Sequence, residues 1–162
     1  MVWTADSNDI AMTFSAHARS RARRLAMQAL YQWDLSGADM AEIRSQFAEQ
    51  EDFSKADAAY FTGLLNEVVT HAEAIDSTIS GNIDRPFKQL DPVERAILRL
   101  ATYELLYRTD VPFRVVIDEA VSLTKKFGAE QGHSFVNGVL DKTAHQHRPD
   151  ECTRVSNRVS DR

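Results

Sequence analysis

The chain has 162 residues, 43% of them hydrophobic and 27% charged, and 19 basic against 24 acidic side chains give a net charge of −5 at pH 7. This is a water-soluble globular profile, long enough for one domain or two small subdomains sharing a core. The acidic total excludes blanket nucleic-acid affinity, so any RNA binding must come from a local patch. A single cysteine, Cys152, excludes a disulfide framework and points to a reducing cytoplasm. No apolar run approaches eighteen residues and the start carries no apolar stretch after basic residues, so neither a membrane span nor a signal peptide is expected.

Residues 1–16 show no sustained period and read as a flexible N-terminal extension. An N-terminal helical subdomain follows over 17–81. Its first helix places Ala22, Leu25, Ala26, Ala29, Leu30 and Trp33 at helical spacing and stops at Ser36-Gly37. A shorter helix carries Ile43 and Phe47. Ser54-Lys55-Ala56-Asp57 resembles a capping box opening one long helix, whose core side is Phe61, Leu65, Val68, Ala72, Ile75 and Ile79, ended by Ser80-Gly81. Residues 82–90, with Pro86, form a hinge.

The C-terminal subdomain, 82–145, is organised on Val93–Arg108, entered through Leu90-Asp91-Pro92. Asp91 suits the N-cap, Pro92 the first helical position, and Glu94 completes a capping-box pattern. Val93, Ala96, Leu100, Tyr103 and Tyr107 line one side, and Ile97, Leu98, Ala101 and Leu105 nearly the opposite one. A helix apolar on two faces needs neighbours on both, which makes this the central helix near 92–108. A further helix spans Phe113–Phe127, with Gly128 as its C′ residue. The last carries Phe135, Val136, Val139 and Leu140, with Gly138 read as a close helix–helix contact. Residues 146–162 read as a flexible tail. No stretch makes a strand. The fold class is all-α, about seven helices in two packed three-helix subdomains.

The strongest local anomaly is four arginines within six residues, Arg19, Arg21, Arg23 and Arg24, opening the first helix. Cations at a helix N-terminus oppose the macrodipole, so helix stability does not explain them. Guanidinium forks suit phosphates. On the same helix Gln28 can read a base edge and Tyr31 offers a stacking plane. A solvated face that keeps the chain soluble is the competing explanation. Phe135, near the edge of the last helix's packing stripe, is a second stacking candidate, against the plainer reading of a peripheral core residue. The five histidines do not form a metal-spaced set, Asp118 and Glu119 point apart, and no glycine loop cradles a phosphate. Hence no enzyme, cofactor or metal is expected.

The runs ARSRARRLAMQALYQWDLSG over residues 18–37, and LDPVERAILRL, VPFRVVIDEAVSL, FGAE and FVNGVLDK within residues 90–144, closely resemble the NusB family of bacterial transcription antitermination factors. The resemblance implies an all-α fold of two three-helix subdomains. It also implies binding to box A, a single-stranded RNA signal of ribosomal RNA leader transcripts. This occurs together with ribosomal protein NusE, within an antitermination complex on RNA polymerase. By position it implies RNA contacts at Arg19, Arg21, Arg23 and Phe135, and NusE contacts at Tyr31 and Glu94. Two alternatives stay open. NusB-like domains also begin an RNA cytosine methyltransferase, and the arginine helix could instead be hidden in a structural homodimer or larger homo-oligomer.

Overall fold

The computed structural model describes the backbone over residues 4–160 and the side chains over 15–154. Eight α-helices and two short 3-10 turns make up the described chain, without a strand. By compactness it divides into two units, residues 1–66 and 67–162.

In the first unit, α1 is Thr4–Ser36, α2 is Met40–Ala48, a 3-10 turn covers Glu51–Lys55, and α3 begins at Ala58. At about 1.5 Å per residue α1 is about 50 Å long. It starts well before Ala18, where the hydrophobic periodicity begins. The segment read as an extension is helical from Thr4, because no glycine or proline interrupts the chain before Ser36; residues 1–3 lie outside the described residues. Gly37 ends α1 at φ +67°, a conformation a side chain disfavours, and donates to the Trp33 carbonyl at 3.1 Å. The apolar stripe of α1, Ala22, Leu25, Ala26, Ala29 and Leu30, is buried with Ile43, Phe47, Phe61, Leu64 and Leu65. Phe61 meets Phe53 edge-on at 5.2 Å. The cap of α3 is Asp57 and not Ser54: its carboxylate accepts from the Tyr60 amide at 3.0 Å, while residues around Ser54 are taken up in the 3-10 turn.

The long helix expected over 57–79 is two. Helix α3 runs Ala58–Thr70 and α4 Ala72–Ser80, with His71 between them at φ −104° and ψ 19°. The His71 ring stacks on Tyr107 at 4.2 Å and lies 3.2 Å from the Glu67 carboxylate, contacts that fix the break without glycine or proline. The division between the units falls at Asn66/Glu67, inside α3, and assigns α4 to the second.

In the second unit a 3-10 turn at Phe87–Gln89 leads to α5, Pro92–Tyr107, followed by α6, Phe113–Phe127, α7, Gly132–His147, and α8, Pro149–Ser160. Asp91 caps α5, accepting from the Val93 and Glu94 amides at 2.9 and 3.2 Å. Residues Ala96 to Leu105 are buried without a break, since α4, α6 and α7 all pack on α5. Arg99 meets Asp76 with a two-pronged ion pair at 2.9 and 3.0 Å. Gly128 ends α6 with φ −86° and not in the left-handed region; a Cβ there would come 2.8 Å from the Thr124 carbonyl, so the residue serves close approach. Two further expectations change. The stretch read as a tail is helical over 149–160, with Pro149 at its first position and Arg148 and Cys152 buried. Gly138 is exposed, and a Cβ on it would meet nothing within 4 Å, so it is not a helix–helix contact.

Candidate nucleic-acid interface

The arginine cluster lies in the middle of α1 and not at the N-terminus where the sequence placed it, so the expected opposition to the macrodipole does not apply to it. The residues needed for the apolar stripe, Ala22, Leu25 and Ala26, interleave with the cations, so the four guanidinium groups leave the helix in different directions. Tyr60, buried one turn into α3, receives two of them. The guanidinium carbon of Arg19 lies 4.3 Å from its ring centroid and that of Arg23 5.3 Å. Arg23 is only 3% exposed, so its head is part of the packing and offers phosphate little access. Arg24 stands 3.7 Å from Asp52, in a pair open to water. Arg21 and Gln28 are half-buried. Tyr31 is 37% exposed.

The cluster is therefore not a uniform cationic face. Arg19 and Arg23 share Tyr60, Arg24 is bound loosely to an acid, and Arg21 has no described acid beside it. The periodicity of α1 could not show this, because Tyr60 and Asp52 come from other elements. A sequence signal for Tyr60 exists only in retrospect: it follows the Asp57 cap by one turn and thus points back toward α1, whose Ala18 carbonyl accepts from the Asp57 amide at 3.0 Å.

In the second unit Phe135 sits on the first turn of α7 and is half-buried. The guanidinium of Arg85 lies over its ring, 4.4 Å from the centroid, and Arg85 Nε donates to Asp84 at 3.1 Å. That hydrogen bond, together with the Arg85 charge, holds the Asp84 carboxyl below its ordinary range. A hollow beside the ring is bordered by Ile83, Asp84, Ser134, Phe135, Gly138 and Lys142. Its back wall is stiff, since Asn82 exchanges two amide hydrogen bonds with Gln146, both 3.0 Å, and donates to Thr143 at 3.1 Å. Arg85 carried no sequence signal, lying in a segment without periodicity.

Glu94 is not presented to solvent. It is 7% exposed, and its carboxylate lies against the start of α7, where a Cβ added to Gly132 would fall 2.2 Å from Oε1. Burial first, and the Asp91 charge second, push its pKa up from 4.5. The expectation that Glu94 forms part of a partner surface meets a side chain turned inward, because this carboxylate lies where the N-terminus of α7 is seated. Among the described residues no group of three His, Cys, Asp or Glu could hold a metal ion, and no helix is long and apolar enough to cross a membrane.

A model of the NusB family matches residues 20–145. The chain belongs to the NusB family. The transcription antitermination protein NusB of Shewanella halifaxensis is 49% identical over 130 residues, covering 80% of this chain and 96% of that one. That of Xanthomonas oryzae pv. oryzae is 50% identical over 126 residues, covering 78% and 81%. Among solved structures, T. maritima NusB superposes with a TM-score of 0.73 at 33% identity, covering 82% of this chain and 94% of that one. A complex of the antitermination factors NusB and NusE with double-stranded RNA gives 0.71 at 35% identity, covering 78% and 96%. The matched span of the NusB family model thus takes in Arg21, Arg23, Arg24 and Phe135, with Arg19 just outside it.

Proposed function

We propose that this chain is a non-catalytic, cytoplasmic RNA-binding factor of transcription antitermination. It binds box A RNA of ribosomal RNA leader transcripts together with ribosomal protein NusE, as part of an antitermination complex on RNA polymerase. The observation that carries this reading is the family match over residues 20–145, which spans Arg21, Arg23, Arg24 and Phe135 alike.

In this reading Arg21 and Arg24 contact phosphates directly and Arg19 joins them from its place over Tyr60. Gln28 offers its amide to a base, and Phe135 stacks on one. Arg23 acts by holding Tyr60 and the start of the packed helix in place. Tyr31, exposed on α1, is a NusE contact. Glu94 influences the partner surface through the seat of α7, without touching the partner. With few phosphate contacts on an acidic chain, RNA affinity is low alone and rises when a partner adds contacts.

The test is fluorescence anisotropy of labelled box A RNA titrated with the chain, with and without NusE. The solved relative holding double-stranded RNA supplies the natural second arm, a duplex of the same sequence. Tighter binding of the single strand, enhanced by NusE, supports the proposal. Equal affinities with and without NusE, or preference for the duplex, would count against it.

A further inference from the structure

We propose that Asp52 is a built-in competitor for the RNA backbone. Its carboxylate holds the Arg24 guanidinium until a phosphate displaces it, so any RNA that uses Arg24 must first release this pair. The proposal rests on the RNA-binding reading above and adds a self-inhibiting contact to it.

Three observations converge on this role. The first is the pair itself. Asp52 Oδ2 lies 3.7 Å from Arg24 Nη2, beyond hydrogen-bond reach, and the Arg24 and Asp52 side chains are 32% and 65% exposed. A pair of this kind is weak and screened. A phosphate, with several acceptor oxygens to offer a guanidinium fork, can take the place of the carboxylate. Arg21 stands three positions before Arg24, so the two are neighbours on the surface of α1 and the Asp52 charge acts on both.

The second observation is what keeps the carboxylate there. Asp52 belongs to the 3-10 turn Glu51–Lys55, and this turn is pinned on both sides. Phe53 meets Phe61 edge-on at 5.2 Å, and just past the turn the Asp57 amide donates to the Ala18 carbonyl of α1 at 3.0 Å. The backbone is fixed while the side chain is open to water. A phosphate can therefore turn the carboxylate aside by a rotamer change, and the pair re-forms when the RNA leaves.

Thirdly, local structure does not account for Asp52. Asp57 caps α3, but among the described residues the contact of the Asp52 carboxylate is Arg24. An exposed pair of this length adds little to fold stability. What it does add is a fixed cost to RNA binding. Only an RNA that gains further contacts, from its bases or from a partner protein, then stays bound.

The test is fluorescence anisotropy of the full chain with labelled single-stranded box A RNA and with an unrelated single strand of equal length, at about 0.05 M and about 0.5 M salt. Asp52→Asn should tighten both RNAs by the same factor, about threefold at the lower salt, and the gain should fade at the higher. Glu49→Gln removes the same charge from the same stretch of chain and should change affinity less. On an Arg24→Gln background the gain from Asp52→Asn should vanish, because the competitor has lost its target. Melting temperatures should stay at the parent's. An Asp52→Asn variant that binds like the parent, or keeps its full gain without Arg24, overturns the competitor; the RNA-binding reading stands if Arg21→Glu still abolishes binding. If neither the parent nor Asp52→Asn binds RNA, both fall.

Discussion

Arg148 closes the C-terminal end of α5 by donating from Nε to the Leu105 carbonyl at 3.0 Å. The same guanidinium reaches the carbonyls of Glu104, Arg108 and Val111 and the carboxylate of Glu151. Glu151 in turn accepts from the Phe113 amide at the start of α6. A helix end leaves carbonyls without partners, and one planar cation satisfies several of them here. The residue that ties off the central helix thus lies in the stretch that composition marks as a loose tail.

Replacing Arg148 by Met should cost about 3 kcal/mol, because buried carbonyls lose their donors together. Arg148→Lys should recover little of this, as an ammonium cannot present the fork. Urea unfolding checks both, with near-parent stability of Arg148→Met as the contrary result.

The arginine cluster should separate into two classes. Arg21→Glu with Arg24→Glu should abolish RNA binding while changing stability by less than about 1 kcal/mol, since both heads are partly exposed. Arg23→Ala or Tyr60→Ala should cost about 2 kcal/mol or more through lost packing. Calorimetry beside anisotropy reads the split; equal melting temperatures across all three variants would show that burial of Arg23 carries no stability.

Glu94 predicts a pH dependence. Its folded pKa is raised above the ordinary 4.5, so folding favours the protonated form. That contribution is complete below 4.5 and is lost as pH rises through the raised value. Glu94→Gln should therefore flatten the fall in stability above 4.5 and gain on the parent toward neutral pH. Urea melts between about pH 4 and 7 measure the difference; a parent and variant that run parallel would contradict it.

Gly138→Ala should stabilise α7 by about 0.5–1 kcal/mol, because a methyl there meets open space. A lowered melting temperature would reveal a contact the structure does not contain.

What could be read from the sequence was whatever depended on neighbours in the chain. Asp91-Pro92 and the two apolar faces announced α5, and Phe113 to Phe127 appeared with the bounds it has. Helix α8 could not be read, because among the described residues a mostly polar segment is docked by Arg148 and Glu151, which bond to distant residues, and by the buried Cys152. The break at His71 follows from stacking on Tyr107, 36 positions away by number, and leaves no glycine or proline as a mark. At the candidate interface the cations were visible as a cluster. Their sorting into buried and open members was not, since Tyr60 and Asp52 do the sorting from elsewhere in the chain.

The most direct measurement is to crosslink the purified chain with NusE to box A RNA and identify the attached residues by mass spectrometry. Adducts at Arg19 to Gln28 of α1 and at Phe135 of α7, lost in the Arg21→Glu, Arg24→Glu variant, are the predicted result. Adducts confined to α6 or α8, unaffected by that variant, would contradict the arginine cluster in the middle of α1 as the place where RNA is held.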